Sequence, residues 1–203
     1  NVLKGQRDNP QGNANATPTG YYTRKYIPEV ILNNNHTGSN YRNWIIIRYA
    51  EILLSYAEAL NNLTGPHTVE LDGQPYTMSR DKEEIKKAFN QVRYRAGLPG
   101  LTANQLNSTP EVQKQIERER MVEFLWENRR FYDVRRWGIY EETEQEPIRG
   151  MNPDGATKET YYQRVIPSSS SFLTRVVDKR SVWVPIPRNE MRRLPSLDQN
   201  PGY

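Results

Sequence analysis

The run from Ile116 to Gly138 interleaves charges and aromatic rings more densely than any other part of this chain. It reads Ile-Glu-Arg-Glu-Arg-Met-Val-Glu-Phe-Leu-Trp-Glu-Asn-Arg-Arg-Phe-Tyr-Asp-Val-Arg-Arg-Trp-Gly. At about 100° per residue, Glu119, Glu123 and Glu127 share a helical face with Val112, Ile116 and Trp126. Met121, Val122, Phe124 and Leu125 fill much of the remaining circumference, so the spacing predicts a helix largely surrounded by protein. A carboxylate left there without a partner would be strongly destabilising. Arg120, Arg129, Arg130, Arg135 and Arg136 supply the cations, with Glu127 to Arg130 and Glu119 to Arg120 inside the run and other elements available across the core. Three glutamates at helical spacing could also suggest a metal site or an acid/base pair. Carboxylate di-metal bundles add Glu-x-x-His, and neither His36 nor His67 stands in that context, which favours an ion-paired scaffold.

Composition narrows the classes further. The chain has 203 residues, enough for one ordinary domain core or a piece of a larger one. Mean hydropathy is −0.90, but thirteen Tyr and four Trp argue for a folded, loop-rich protein rather than a disordered one. The net charge of +4 comes from 28 basic and 24 acidic residues, and the densest arginine region is also rich in glutamate. A nucleic-acid partner is therefore not expected. With no cysteine, disulfides, thiolate catalysis and Cys-ligated metals are excluded. The longest apolar stretch, Trp44 to Ile47 with Ile52 to Leu54, is far short of a membrane span. Asn1 is not a native start, so any targeting segment is expected upstream of it.

Residues Asn1 to Asn43 read as irregular loop, with a short extended piece near Tyr21 to Lys25. Trp44 to Ile47 is β-prone, and a first helix starts near Arg48, carrying Ala50, Leu53, Leu54, Ala57 and Leu60 on one stripe and ending at Asn61 to Pro66. A second helix is predicted over Asp81 to Ala96, with Ser79 as N-cap and Ile85, Ala88, Phe89, Val92 and Ala96 on one face. The third opens at Ser108 with a Ser-x-x-Glu capping box to Glu111, holds Pro110 in its first turn, and kinks near Asn128 before Gly138 ends it. Tyr140 to Ser171 is loop-like. Pro185 and Pro187 confine the following segment to extended or turn structure before one helical turn near Arg188 to Arg192; a buried, irregular tail is implied.

Five segments then line up in order: Arg48-Tyr-Ala-Glu-Ile-Leu-Leu-Ser-Tyr-Ala-Glu-Ala-Leu-Asn61, Phe89-Asn-Gln-Val-Arg-Tyr-Arg-Ala-Gly-Leu-Pro99, the Ile116 to Gly138 run, Val184-Pro-Ile-Pro, and Gln199-Asn-Pro-Gly-Tyr203. In this order and spacing they resemble the C-terminal half of SusD/RagB-type proteins, over roughly Asn43 to Tyr203. The resemblance implies an all-α fold of tetratricopeptide-like helix pairs with a loop-rich, irregular C-terminal part. It implies one such C-terminal domain over 1–203, made of a variable loop region (1–43), a helical core (44–138) and an irregular tail (139–203). It also implies a place on the outer face of the outer membrane, through a lipid anchor upstream of this chain. There the protein would be a lid on a SusC-like TonB-dependent transporter, capturing oligo- or polysaccharide for import. A peptide- or protein-binding module of the same kind of complex is the alternative. No cofactor is implied.

Sugars are held by aromatic faces stacked on ring C–H groups, with planar amides and guanidinium groups satisfying hydroxyls. The candidate glycan-binding residues are Tyr21, Tyr22, Asn34, Tyr41, Arg42 and Trp44, with Tyr76 in the long loop from Thr64 to Met78, whose length suits a specificity insertion. Tyr161 and Tyr162 share the chemistry in a weaker context and read as structural, as do Trp126, Trp137 and Trp183. Catalysis is not expected: a glycosidase needs a carboxyl kept protonated near neutral pH, whereas Asp133 and Glu127 sit among arginines that favour the charged form. No Gly-x-Ser-x-Gly or nucleotide-binding fingerprint is present.

Overall fold

The computed structural model describes residues 2–9, 11–27, 43–167 and 175–203. The chain forms two compact units, one of Ser39–Asp133 and one of Asn1–Gly38 with Val134–Tyr203.

In the first unit, α1 (Tyr49–Asn61) leads through a two-stranded hairpin, β1 (His67–Leu71) and β2 (Gln74–Met78), to α2 (Lys82–Arg95), then a short α3 (Ala103–Leu106) and α4 (Thr109–Glu123). Helix α1 packs along α2 on one side and against α4 on another. Between them lies the core, with Ala50, Leu54, Ala57 and Leu60 of α1, Ile85, Ala88, Phe89 and Val92 of α2, and Val112 and Ile116 of α4. The small residues of α1 allow that close approach. The expected stripe is thus borne out, with Leu53 only partly buried.

The helix starts follow their caps. Asp81, not Ser79, caps α2, its carboxylate accepting from the Glu83 and Glu84 N–H groups at 2.9 and 3.0 Å, because it stands one residue before the first helical position. Ser108 caps α4 through a 3.3 Å bond from the Glu111 N–H, with Pro110 in the first turn. The long loop is a hairpin instead, antiparallel with Val69 opposite Tyr76 and His67 opposite Met78. Asp72 and Gly73, both at positive φ, make its two-residue turn, the geometry in which Asp-Gly is preferred. Trp44 to Ile47, expected to be β-prone, forms no strand.

The Ile116 to Gly138 run is not one kinked helix. Helix α4 stops at Glu123, Trp126 and Asn128 adopt positive φ, and α5 (Arg129–Arg136) starts anew. The break turns Trp126 off the glutamate face, so its side chain is 59% exposed rather than buried with Val112 and Ile116. Met121, Val122 and Leu125 are exposed as well. Phe124 is the one apolar residue of that quartet the unit encloses.

The second unit holds α6 (Tyr140–Gln145), α7 (Lys158–Tyr161), a minimal antiparallel pair β3 (Gly150–Met151) and β4 (Arg164–Val165), a 3-10 turn at Lys179–Val182 and α8 (Arg188–Arg193). The protein is therefore mostly helical, with two small antiparallel pairs among the described residues. Helix α8 falls where one helical turn was expected. Around it, Pro185 and Pro187 lack N–H groups, and side chains supply the missing bonds. The Gln199 amide both accepts from the Ile186 N–H (2.8 Å) and donates to its carbonyl (3.1 Å). Asn200 donates to the Val184 carbonyl at 2.7 Å and the Tyr203 hydroxyl to that of Trp183 at 3.2 Å. The tail is held, but it is not buried: Trp183, Val184, Leu194 and Tyr203 are exposed. No helix among the described residues is long and apolar enough to cross a membrane.

Candidate functional site

Four tyrosines meet in the second unit, and the loops that carry them are pinned by short backbone and amide bonds. Asn9, fully enclosed, donates to the carbonyls of Val2 (3.0 Å) and Pro153 (2.9 Å) and accepts from the Gln11 N–H (2.9 Å). Gln11 also donates to the Asp154 carboxylate at 2.7 Å. The Met151 N–H donates to the Thr19 carbonyl at 2.8 Å. These bonds hold the 2–20 segment against residues 150–155.

Tyr161 closes the arrangement. Only 2% exposed, it donates its hydroxyl to the Gly20 carbonyl at 3.2 Å. Gly20 has φ +68, and a Cβ there would lie 2.6 Å from that hydroxyl oxygen, so only glycine fits. Next along the chain stand Tyr21 and Tyr22, both exposed, the latter anchored by donating its hydroxyl to the Asp8 carbonyl at 3.0 Å. Tyr162, also exposed, lies edge-on to Tyr161 with ring centroids 5.6 Å apart. Burial pushes the Tyr161 phenol above its ordinary value, and the neighbouring Tyr22, Tyr162 and Tyr21 add to the shift. Tyr161 thus packs against Tyr162 and bonds the backbone just before Tyr21 and Tyr22, on loops tied together by hydrogen bonds. Accessible phenol rings of this kind can stack on sugar C–H faces while their hydroxyls exchange hydrogen bonds with ligand hydroxyls.

Tyr21 and Tyr22 were expected in a binding surface. Tyr161 and Tyr162, expected to be structural, lie in the same unit; Tyr161 is buried and Tyr162 is exposed. Nothing in the sequence links positions 140 residues apart, so that neighbourhood had no local signal. Trp44 and Tyr76 are exposed but belong to the first unit. Asn34, Tyr41 and Arg42 lie outside the described residues.

The carboxylates of the first unit form a second polar constellation. Arg48 bonds both Glu123 and Glu127, the latter at 2.8 Å, and its guanidinium lies over the Phe124 ring at 4.7 Å. On the same ring, Arg120 sits at 5.2 Å. Arg120 grips Asp133 with two bonds, 2.9 and 3.1 Å, both residues being buried, and donates to Ser55 at 3.1 Å. Arg93 meets Glu119 at 2.9 Å, Arg95 meets Glu123 at 2.5 Å, and Arg129 meets Glu51 at 2.8 Å. The partners of Glu119 and Glu127 thus come from α2 and from the residue before α1, beyond the run itself. Burial alone would raise the Glu123 carboxyl, but Arg48 and Arg95 outweigh it and hold it below the usual range. Carboxylates clamped in this way are poor general acids. Among the described residues, no group of His, Asp and Glu is placed to hold a metal ion.

Comparison with known proteins points one way. The family model described as "SusD family" matches residues 1–203. A curated relative, the SusD-like protein P2 of Formosa agariphila, is 26% identical over 185 residues, covering 88% of this chain and 30% of that protein. Among solved structures, a SusD-like protein from Bacteroides fragilis is similar, with a TM-score of 0.56 and 35% identity over 79% of this chain and 26% of that one. The chain therefore spans less than a third of the length of these two relatives.

Proposed function

This chain belongs to the SusD family, whose members are non-catalytic and associated with glycan-binding outer-membrane uptake systems; on that premise we propose that it captures oligo- or polysaccharide for a SusC-like TonB-dependent transporter. The observation that carries the reading is the tyrosine cluster. Tyr21, Tyr22 and Tyr162 present accessible rings on a backbone anchored by Tyr161, Asn9 and Gly20, so little ordering is left to be done when a sugar arrives. The protein works at the outward face of the outer membrane, where family members reside, and no bond is made or broken. Asn34, Tyr41, Arg42, Trp44 and Tyr76 extend the candidate set.

The test is calorimetry of the intact protein against a panel of poly- and oligosaccharides, repeated with the double variant Tyr22→Ala/Tyr162→Ala. Losing two stacking rings is expected to weaken binding of the best ligand by at least about tenfold, with the thermal midpoint little changed. No heat with any sugar, together with tight binding to the transporter or to peptides, would favour the peptide-binding reading instead.

A further inference from the structure

Charge is divided unevenly between the two units. Ser39–Asp133 holds 13 basic and 13 acidic residues, whereas Asn1–Gly38 with Val134–Tyr203 holds 15 and 11, so the whole net charge of +4 falls in the unit that carries the tyrosine cluster. In the segments around the tyrosines, 2–27 and 149–166, seven basic residues stand against three acidic ones. The backbone fixes where two of the cations stand. The Tyr162 N–H donates to the Lys158 carbonyl at 3.0 Å, and side chains four apart on such a turn are neighbours. Arg164 follows Tyr162 by two residues and opens β4 opposite Met151. Partners directly opposite in an antiparallel pair share a face, and a Cβ on Gly20 would lie 3.1 Å from that of Met151. Arg164 is therefore on the face that Gly20 meets, just before Tyr21 and Tyr22. Both cations are exposed, as is Arg149 at the entry to β3, and none of the three has an ion-pair partner among the described residues. The acids of these segments are engaged elsewhere. Asp154 accepts from Gln11 at 2.7 Å with Lys4 at 3.8 Å, Glu159 accepts from its own N–H and from Thr157 at the start of α7, and Asp8 has partners of its own.

Resting on the reading that the tyrosine cluster captures sugar, we propose that the sugar is an acidic one, a poly- or oligosaccharide bearing carboxylate or sulfate groups, with a ring on Tyr162 and its anions on Lys158 and Arg164. The donor set selects anions. A neutral sugar hydroxyl both donates and accepts, whereas ammonium and guanidinium groups only donate. The guanidinium of Arg164 offers paired N–H groups that fit the oxygens of a carboxylate or sulfate, and such charge-assisted bonds are stronger than those between neutral partners. Lys158 adds a point charge one turn from the ring. With the nearby acids engaged, the local field attracts anions before contact.

The test uses matched pairs of glycans that differ only in charge, titrated into the intact protein by calorimetry: polygalacturonate against its methyl ester, and a sulfated galactan against its desulfated form. At least one charged member is expected to bind about tenfold or more tighter than its neutral counterpart, and to lose that advantage as added salt screens it. Which pair shows the effect tells carboxylate from sulfate. Lys158→Ala/Arg164→Ala should bring the charged member down to the affinity of the neutral one, with the thermal midpoint unchanged, and Lys158→Arg/Arg164→Lys should keep the preference. Lys114→Ala/Arg118→Ala removes two exposed cations from the first unit instead and should also keep it. Loss of preference in that control would make net charge, not this site, the cause and would overturn the proposal. So would inorganic polyphosphate binding as tightly as the charged glycan, since it has no sugar ring to stack. Neutral members binding as well as charged ones, or better, overturn the acidic ligand while sugar capture stands. Silence from every glycan removes both readings together.

Discussion

Arg120 shows how single residues set the character of this protein. Its guanidinium is held by two bonds to Asp133, lies over Phe124 and reaches Ser55 on α1, so one side chain of α4 ties α1 to Asp133 of α5. Removing either residue takes a doubly bonded partner away from a buried charge. Arg120→Ala is expected to cost about 3–5 kcal/mol of stability, measurable by urea unfolding, whereas Arg120→Met combined with Asp133→Leu should cost much less than the two single changes added together. Glu123 carries a pH dependence whose sign follows from its partners. Arg48 and Arg95 hold its carboxyl below the ordinary value of 4.5, so its contribution is complete above that value and lost as pH falls through the lower, folded-state one. Unfolding midpoints should therefore be nearly flat from neutral pH to about 5 and drop below it, and Glu123→Gln should lower the plateau and flatten the drop. At this scale much was legible. A glutamate at helical spacing with Val112 and Ile116 had to find an arginine; that Glu119 finds Arg93 and Glu127 finds Arg48 depended on which helices became neighbours.

At the scale of elements, local chemistry carried the outcome wherever a cap or a turn decided it. Ser108 and Pro110 start α4, and Asp81 starts α2 once its position next to the first turn is preferred over that of Ser79. The hairpin had a visible signal in Asp72-Gly73 between two runs of about five residues, and a reading of loop length alone passed over it. Its strands pack mainly on each other and are mostly exposed. Replacing residues 66–79 by a short Gly-Ser linker is therefore expected to leave helical circular dichroism intact and to shift the thermal midpoint by no more than about 3 °C. The expected kink near Asn128 falls where the chain does leave the helix, but that the interruption starts at Phe124 and separates two helices could not be read from periodicity. Two guanidinium groups close on Phe124, and the backbone turns through the left-handed region at Trp126 and Asn128, a conformation with a cost of roughly 1–2 kcal/mol per residue. Tertiary pairing outweighs that cost.

Over the whole molecule, exposed apolar surface is the property that most needs an owner. Met121, Val122, Leu125, Trp126, Phe131 and Tyr132 are all exposed in the unit Ser39–Asp133. The 203-residue chain is expected to bind apolar dyes and to self-associate at about micromolar concentration, read by dye fluorescence and by sedimentation. Membership of the SusD family was legible from the order of five short motifs, and the structure supplies physical reasons for two of them. Val184-Pro-Ile-Pro and Gln199-Asn-Pro-Gly-Tyr203 are mutual hydrogen-bond partners, the amides of one satisfying the proline-interrupted backbone of the other. The sequence by itself determined α1, the core of α2 and the Ser108 start of α4, the need for arginines beside the buried carboxylates, and the family, because each rests on residues within about a dozen positions of one another or on the order of such groups. Only the tertiary structure decided that Tyr161 and Tyr162 stand beside Tyr21 and Tyr22, that Trp126 leaves the core, and that α1 turns its carboxylates inward. Those outcomes are set by which distant segments are brought together, and no local pattern encodes the neighbour a side chain will meet across 140 residues of chain.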